Sequence, residues 1–83
     1  MLESLSWQGV DSLVGYLCKI VSKKTPSHYL YKVIIEDDEV YVKGSYGRDE
    51  QDAIANYKSG RYKFIENSVP KSAYDIIPIR KIF

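Results

Sequence analysis

Apolar and polar positions alternate along most of this chain, and the alternation divides it into short elements. His28 to Glu36 reads as a strand, with Tyr29, Tyr31, Val33 and Ile35 on one side and Leu30, Lys32 and Ile34 on the other. Asp37-Asp38 turns the chain. Glu39 to Lys43 returns, with Val40 and Val42 facing one way and Tyr41 and Lys43 the other, and Gly44 to Gly47 breaks the strand. Asp49-Glu50-Gln51-Asp52 then opens a short helix, because acids in a first turn suit the positive end of the helix dipole. Ala53, Ile54 and Tyr57 make the buried stripe of that helix, Lys58 falls in its last turn, and Gly60 supplies a left-handed stop. Arg61 to Glu66 reads as a strand, Asn67 to Ser72 as a loop, and Tyr74 to Ile82 as a last strand. Pro78 cannot donate to a ladder, so this last strand is expected at an edge or with a bulge.

Over Val10 to Val21 two periods compete. Apolar residues at 10, 13, 14, 17, 20 and 21 fit one face of a helix, with Ser6 as a cap, which would make an α/β domain. Val14, Tyr16, Cys18 and Ile20 also alternate strictly, and Gly15 inside the run suits a bent strand better than a helix. These residues alone leave the choice open. Residues 1–9 form a lead-in whose Trp7 is expected to cap an open end of the fold, and Lys23 to Ser27 is a turn marked by Pro26.

A chain of 83 residues is a single domain, too short for a second core. With 45% hydrophobic and 28% charged residues it is neither a disordered tail, a collagen-like repeat nor a coiled coil. Uncharged stretches such as Ser4 to Val10 fall far short of the roughly 20 apolar residues of a membrane span. No basic and apolar leader opens the chain, so no secretory signal is expected. The single cysteine, Cys18, cannot form an internal disulfide and reads as a small buried hydrophobe. The single histidine, His28, has no nucleophilic partner, Asp37-Asp38-Glu39 reads as a solvated hairpin tip, and no phosphate-binding glycine loop is present. The expectation is a cytoplasmic, non-enzymatic protein without cofactor or metal. Eight of the eleven aromatics are tyrosine, whose flat apolar ring and wet edge suit surfaces that stack or bind. Residues 1–42 hold four lysines against six acids, and residues 43–83 hold eight cations against five acids. A net charge of +1 is too small for binding nucleic acid by charge alone but permits a local basic groove.

Four strings of residues resemble a family. Val14-Gly15-Tyr16-Leu17-Cys18-Lys19-Ile20-Val21 is similar to the first strand of single-stranded-DNA-binding OB domains, the replication protein A group and its short archaeal relatives. Val33 to Asp38 is similar to the end of their second strand, and Tyr46-Gly47-Arg48 to an aromatic-Gly-basic step past the third. Lys58 to Asn67 resembles their approach to the fourth strand. The resemblance covers roughly residues 12 to 80 and favours the strand reading of residues 12–22. It implies an all-β fold: a five-stranded OB-fold barrel with one helix between the third and fourth strands.

That resemblance implies binding of single-stranded DNA or RNA with low sequence specificity, through tyrosine stacking and cation contacts to phosphate. With Val40 and Val42 filling the barrel, Tyr41 and Lys43 lie outside, Lys32 lies on the outer face of the preceding strand, and Tyr46 and Arg48 follow in the loop. Lys63, Lys71 and Tyr74 are expected to close the groove from the other sheet edge. Tyr29 and Tyr31 share parity with Val33 and Ile35 and are expected in the core. The alternative is an OB-type protein–protein interaction module, a homo-oligomer or a small viral or mobile-element regulator, in which the tyrosines anchor an interface. The small net charge and the short acidic hairpin favour that alternative.

Overall fold

The computed structural model describes residues 12–61 and 68–83. Five antiparallel strands and one helix follow in the order β1 (Tyr16–Ser22), β2 (Tyr29–Asp37), β3 (Tyr41–Gly47), α1 (Glu50–Ser59), β4 (Ser68–Pro70) and β5 (Tyr74–Lys81). The strands form one sheet in the order β4-β3-β2-β1-β5. Among the described residues no pairing joins β4 to β5, so the sheet is open. The helix falls between the third and fourth strands, as the pattern of residues indicates. The expected strand over residues 61–66 and the Trp7 cap lie outside the described residues, apart from Arg61. A strand at Ser68–Pro70 replaces the expected loop, because Val69 pairs with Val42 and is buried against it.

Residues 16–22 are extended, which sets aside the helical alternative. Gly15, in the turn just before β1, has φ +91°, a conformation that side chains resist. Its N–H donates to the Ile34 carbonyl, while its own carbonyl accepts from Ile82 and Phe83 N–H. Gly15 therefore joins the end of β5 to the middle of β2, and Val14 lies before the strand and is exposed. On β5, the bond from Lys23 N–H to the Ala73 carbonyl sets the alternation of the ladder. Pro78, opposite Cys18, then directs its missing N–H away from β1, on the outer side of an edge strand. The register shifts beside it, between Leu17 and Cys18.

Two apolar clusters occupy the two faces of the sheet. One face gathers Leu13, Cys18, Ile20, Ile34, Val42 and Val69, with Leu30, Tyr74 and Ile76 against them. The other gathers Leu17, Val33 and Ala53 beneath the helix, with Tyr31, Ile54 and Tyr57 alongside. Burial on both faces corrects the expected phase of β2. Leu30, Lys32 and Ile34 face the larger core, and Val33 is buried because the helix covers it. Tyr29, expected inside, is 51% exposed. Val40 is exposed as well, since β3 begins only at Tyr41 and Val40 belongs to the turn.

The acids of the β2–β3 hairpin have separate roles. Asp37 turns inward: its carboxylate accepts from Leu13 N–H at 2.7 Å and pairs with Lys71 Nζ at 2.6 Å. Asp38 Oδ1 accepts from the backbone N–H groups of Tyr41 (2.6 Å) and Val40 (2.8 Å), building the turn from a side chain. Those two bonds, Tyr41 first, hold its carboxyl below the usual range.

Asp49 caps α1 by accepting from Asp52 N–H at 2.8 Å, and Gly60 ends it at φ +78°. Small residues of β3 let the helix sit close. Ser45 Oγ donates to the Ala53 carbonyl at 3.1 Å, and a Cβ on Gly47 would run into the backbone of Asp52 and Ala53. Gly47→Ala is therefore expected to destabilise the fold by about 2 kcal/mol, lowering Tm by about 10 °C. Thermal unfolding followed by circular dichroism checks this, and an unchanged midpoint would mean that the helix does not rest on β3.

Candidate nucleic-acid interface

β3 delivers Tyr46 and Gly47 to the rim of the sheet, and Arg48 follows before the helix cap. The helix then clamps this segment from its side. Asn56 Nδ2 donates to the Tyr46 carbonyl at 2.7 Å, and Arg48 N–H donates to Asp52 Oδ2 at 3.3 Å. Asp52 and Asn56 are four residues apart, so both lie on one edge of the helix, beside the buried stripe. The result is a cleft of about 250 Å³ lined by Tyr46, Gly47, Arg48, Asp52, Asn56 and Arg61. Arg48 and Arg61 are the two cations of this lining, and Asp52 is its one acid; Tyr46 enters it through its carbonyl, while its ring turns to the Lys32 side of the sheet.

Beneath Tyr46 lies Lys32, its partner in the β2–β3 register. Lys32 is not on the outer surface as expected: it is fully buried. Its Nζ donates to the Gly44 carbonyl at 3.1 Å and stands 5.4 Å from the centre of the Tyr46 ring. The correction follows from the phase of β2, which turns Lys32 inward with Ile34. Burial pushes its ammonium down from 10.5 to about 8. In the same register Cys18 lies on the other side of Lys32. Burial, aided by the charge of Asp37, pushes the Cys18 thiol up to about 12, so it is an unreactive core group.

The other expected site residues do not join the cleft. Tyr41 and Lys43 are together on the sheet face opposite Val42, as their alternation indicates, with Tyr41 exposed and Lys43 across from Glu36. Tyr46 faces the other way. Lys71 is committed to Asp37, and Tyr74 packs against the larger core. Lys63 lies outside the described residues. One continuous groove from Lys32 through Tyr74 is therefore not what the fold assembles; of the expected set it brings together Tyr46 and Arg48 at the cleft and sets Lys32 beneath the ring. Arg61 and Asn56 complete the cleft and were not singled out in the sequence. Their signal is the four-residue spacing from Asp52 to Asn56 and a cation directly after the Gly60 stop.

Among the described residues no group of three His, Cys, Asp or Glu side chains could hold a metal ion. No helix among them is long and apolar enough to cross a membrane. No family model matches the chain, and no curated protein and no solved structure shows significant similarity to it.

The buried ammonium gives a signature in pH. Lys32 binds its proton less tightly in the folded chain than in the unfolded one. Between about 8 and 10.5 the unfolded state carries the extra proton, so stability rises with pH across that window. Lys32→Met is expected to remove this rise, read as the difference between wild-type and variant Tm from pH 7 upward.

Proposed function

We propose that the protein binds single-stranded DNA or RNA with little sequence preference, a base stacking on Tyr46 while Arg48 and Arg61 hold the flanking phosphates. The carrying observation is an exposed tyrosine, its ring over the buried Lys32, at the rim of a cleft lined by Arg48 and Arg61. A ring stacks any base through its π-face, at about 1–3 kcal/mol per base, and this needs little net charge. Arginine adds a planar fork that matches phosphate oxygens. The buried Lys32 places positive charge behind the Tyr46 ring and keeps it in position. In this reading the five-stranded sheet is an OB-type barrel, and the protein acts in the cytoplasm as a binding protein without catalysis or cofactor.

Titration of labelled oligo-dT and oligo-rU at low salt tests the reading. Tyr46→Ala is expected to weaken binding roughly 5- to 100-fold, read at a temperature where circular dichroism shows the variant folded, because the ring also covers Lys32. Arg48→Ala is expected to reduce the slope of log affinity against log salt by about 0.7. Tyr41→Ala, on the opposite face, leaves affinity intact. Absence of any oligonucleotide binding at low salt, or an equal loss from Tyr41→Ala, overturns the assignment.

A further inference from the structure

The helix covers only part of its sheet face. Leu17, Val33 and Ser45 lie beneath it, and the next residues on that face are Lys19, Tyr31 and Ile77, followed by Val21, Tyr29 and Asp75. Tyr29 is 51% exposed and Ile77 47%. Tyr29 meets Tyr31 edge to face at 6.1 Å between ring centres, and Lys19 Nζ stands 4.1 Å over the Tyr29 ring. A sheet face left to water ordinarily carries polar side chains. Four of these six are apolar or aromatic, a concentration that marks a protein contact rather than a solvated surface.

Charge distinguishes this half-face from the Tyr46 cleft. Of these six side chains Lys19 is the one cation and Asp75 the one acid, so the six together carry no net charge. The same two charges make it self-complementary. They belong to neighbouring strands and flank the apolar residues, so a two-fold axis through the patch sets Lys19 of each copy against Asp75 of the other. Association by the β5 edge is opposed by the missing N–H of Pro78. We propose that this exposed half of the sheet face is a two-fold homodimer interface, with Tyr29 and Ile77 packed at its centre. A standard interface takes about 800 Å² from each partner. Of the six side chains here Tyr29 and Ile77 are about half exposed and Lys19, Tyr31 and Val21 less so, which makes a weak, concentration-dependent dimer.

Sedimentation velocity of the full chain without nucleic acid tests this over about 10 µM to 1 mM, where a weak dimer responds to mass action. The wild type is expected to rise from 9.6 kDa toward twice that mass. Ile77→Asp stays monomeric, with the dilute wild type's Tm showing that it is folded. Lys19→Asp and Asp75→Lys are each monomeric alone, because each homodimer opposes like charges. Mixed together they associate, since both cross-contacts are then opposite in sign. The proposal falls if the wild type stays monomeric throughout, if Ile77→Asp associates equally, or if the mixed variants remain apart. It also falls if Tyr29→Ala weakens oligonucleotide binding as much as Tyr46→Ala, which would give this face to nucleic acid.

Discussion

Lys32, Val33 and Ile34 are consecutive residues of β2, and all three are fully buried. A strand alternates its side chains, so three buried in a row require cover on both faces at once. The larger core supplies it on the Lys32 and Ile34 side, and the helix supplies it over Val33. The rest of the arrangement follows from that constraint. The helix must lie close to β3, which calls for Ser45 and Gly47 beneath it. The lysine on the inner side must find an acceptor without water, and the Gly44 carbonyl is in place. Tyr46, its cross-strand neighbour, then lies above a buried positive charge, at the edge where the helix opens a cleft.

The local elements were legible in the sequence because each carries its own punctuation. Asp49 and Gly60 mark the ends of the helix, Asp38 builds the hairpin turn, and Pro78 indicates an edge. The pairing of Tyr41 with Lys43 on one face was also legible, but the break expected at Gly44 to Gly47 is absent: β3 runs on through Gly47, because its small residues lie beneath the helix, and Tyr46 is on the strand and not in a loop. The side of β2 facing the core was not. Both of its faces carry apolar residues, and only the position of the helix decides which side is deepest. That ambiguity moved Lys32 inward and Tyr29 outward. The short β4 was hidden for a different reason: three residues around Pro70 are too few to show a period, and their pairing with β3 is a long-range event.

The candidate site shows the same division. Tyr46 and Arg48 are neighbours in sequence and stay together in space. Arg61 and Asn56 join them only because the helix runs past the end of β3. The grouping of Lys71 with Asp37 shows how a cation that reads as a ligand contact can serve the fold instead. One carboxylate there ties the approach to β1, the end of β2 and the β4–β5 turn at a single point.

The proline in the border strand has a consequence for how copies of this protein can meet. A cross-strand template needs an unbroken series of donors, and here one is absent midway along the exposed border. At that border a second copy would find the ladder interrupted. The border strand therefore works against the edge-to-edge growth that builds a fibre.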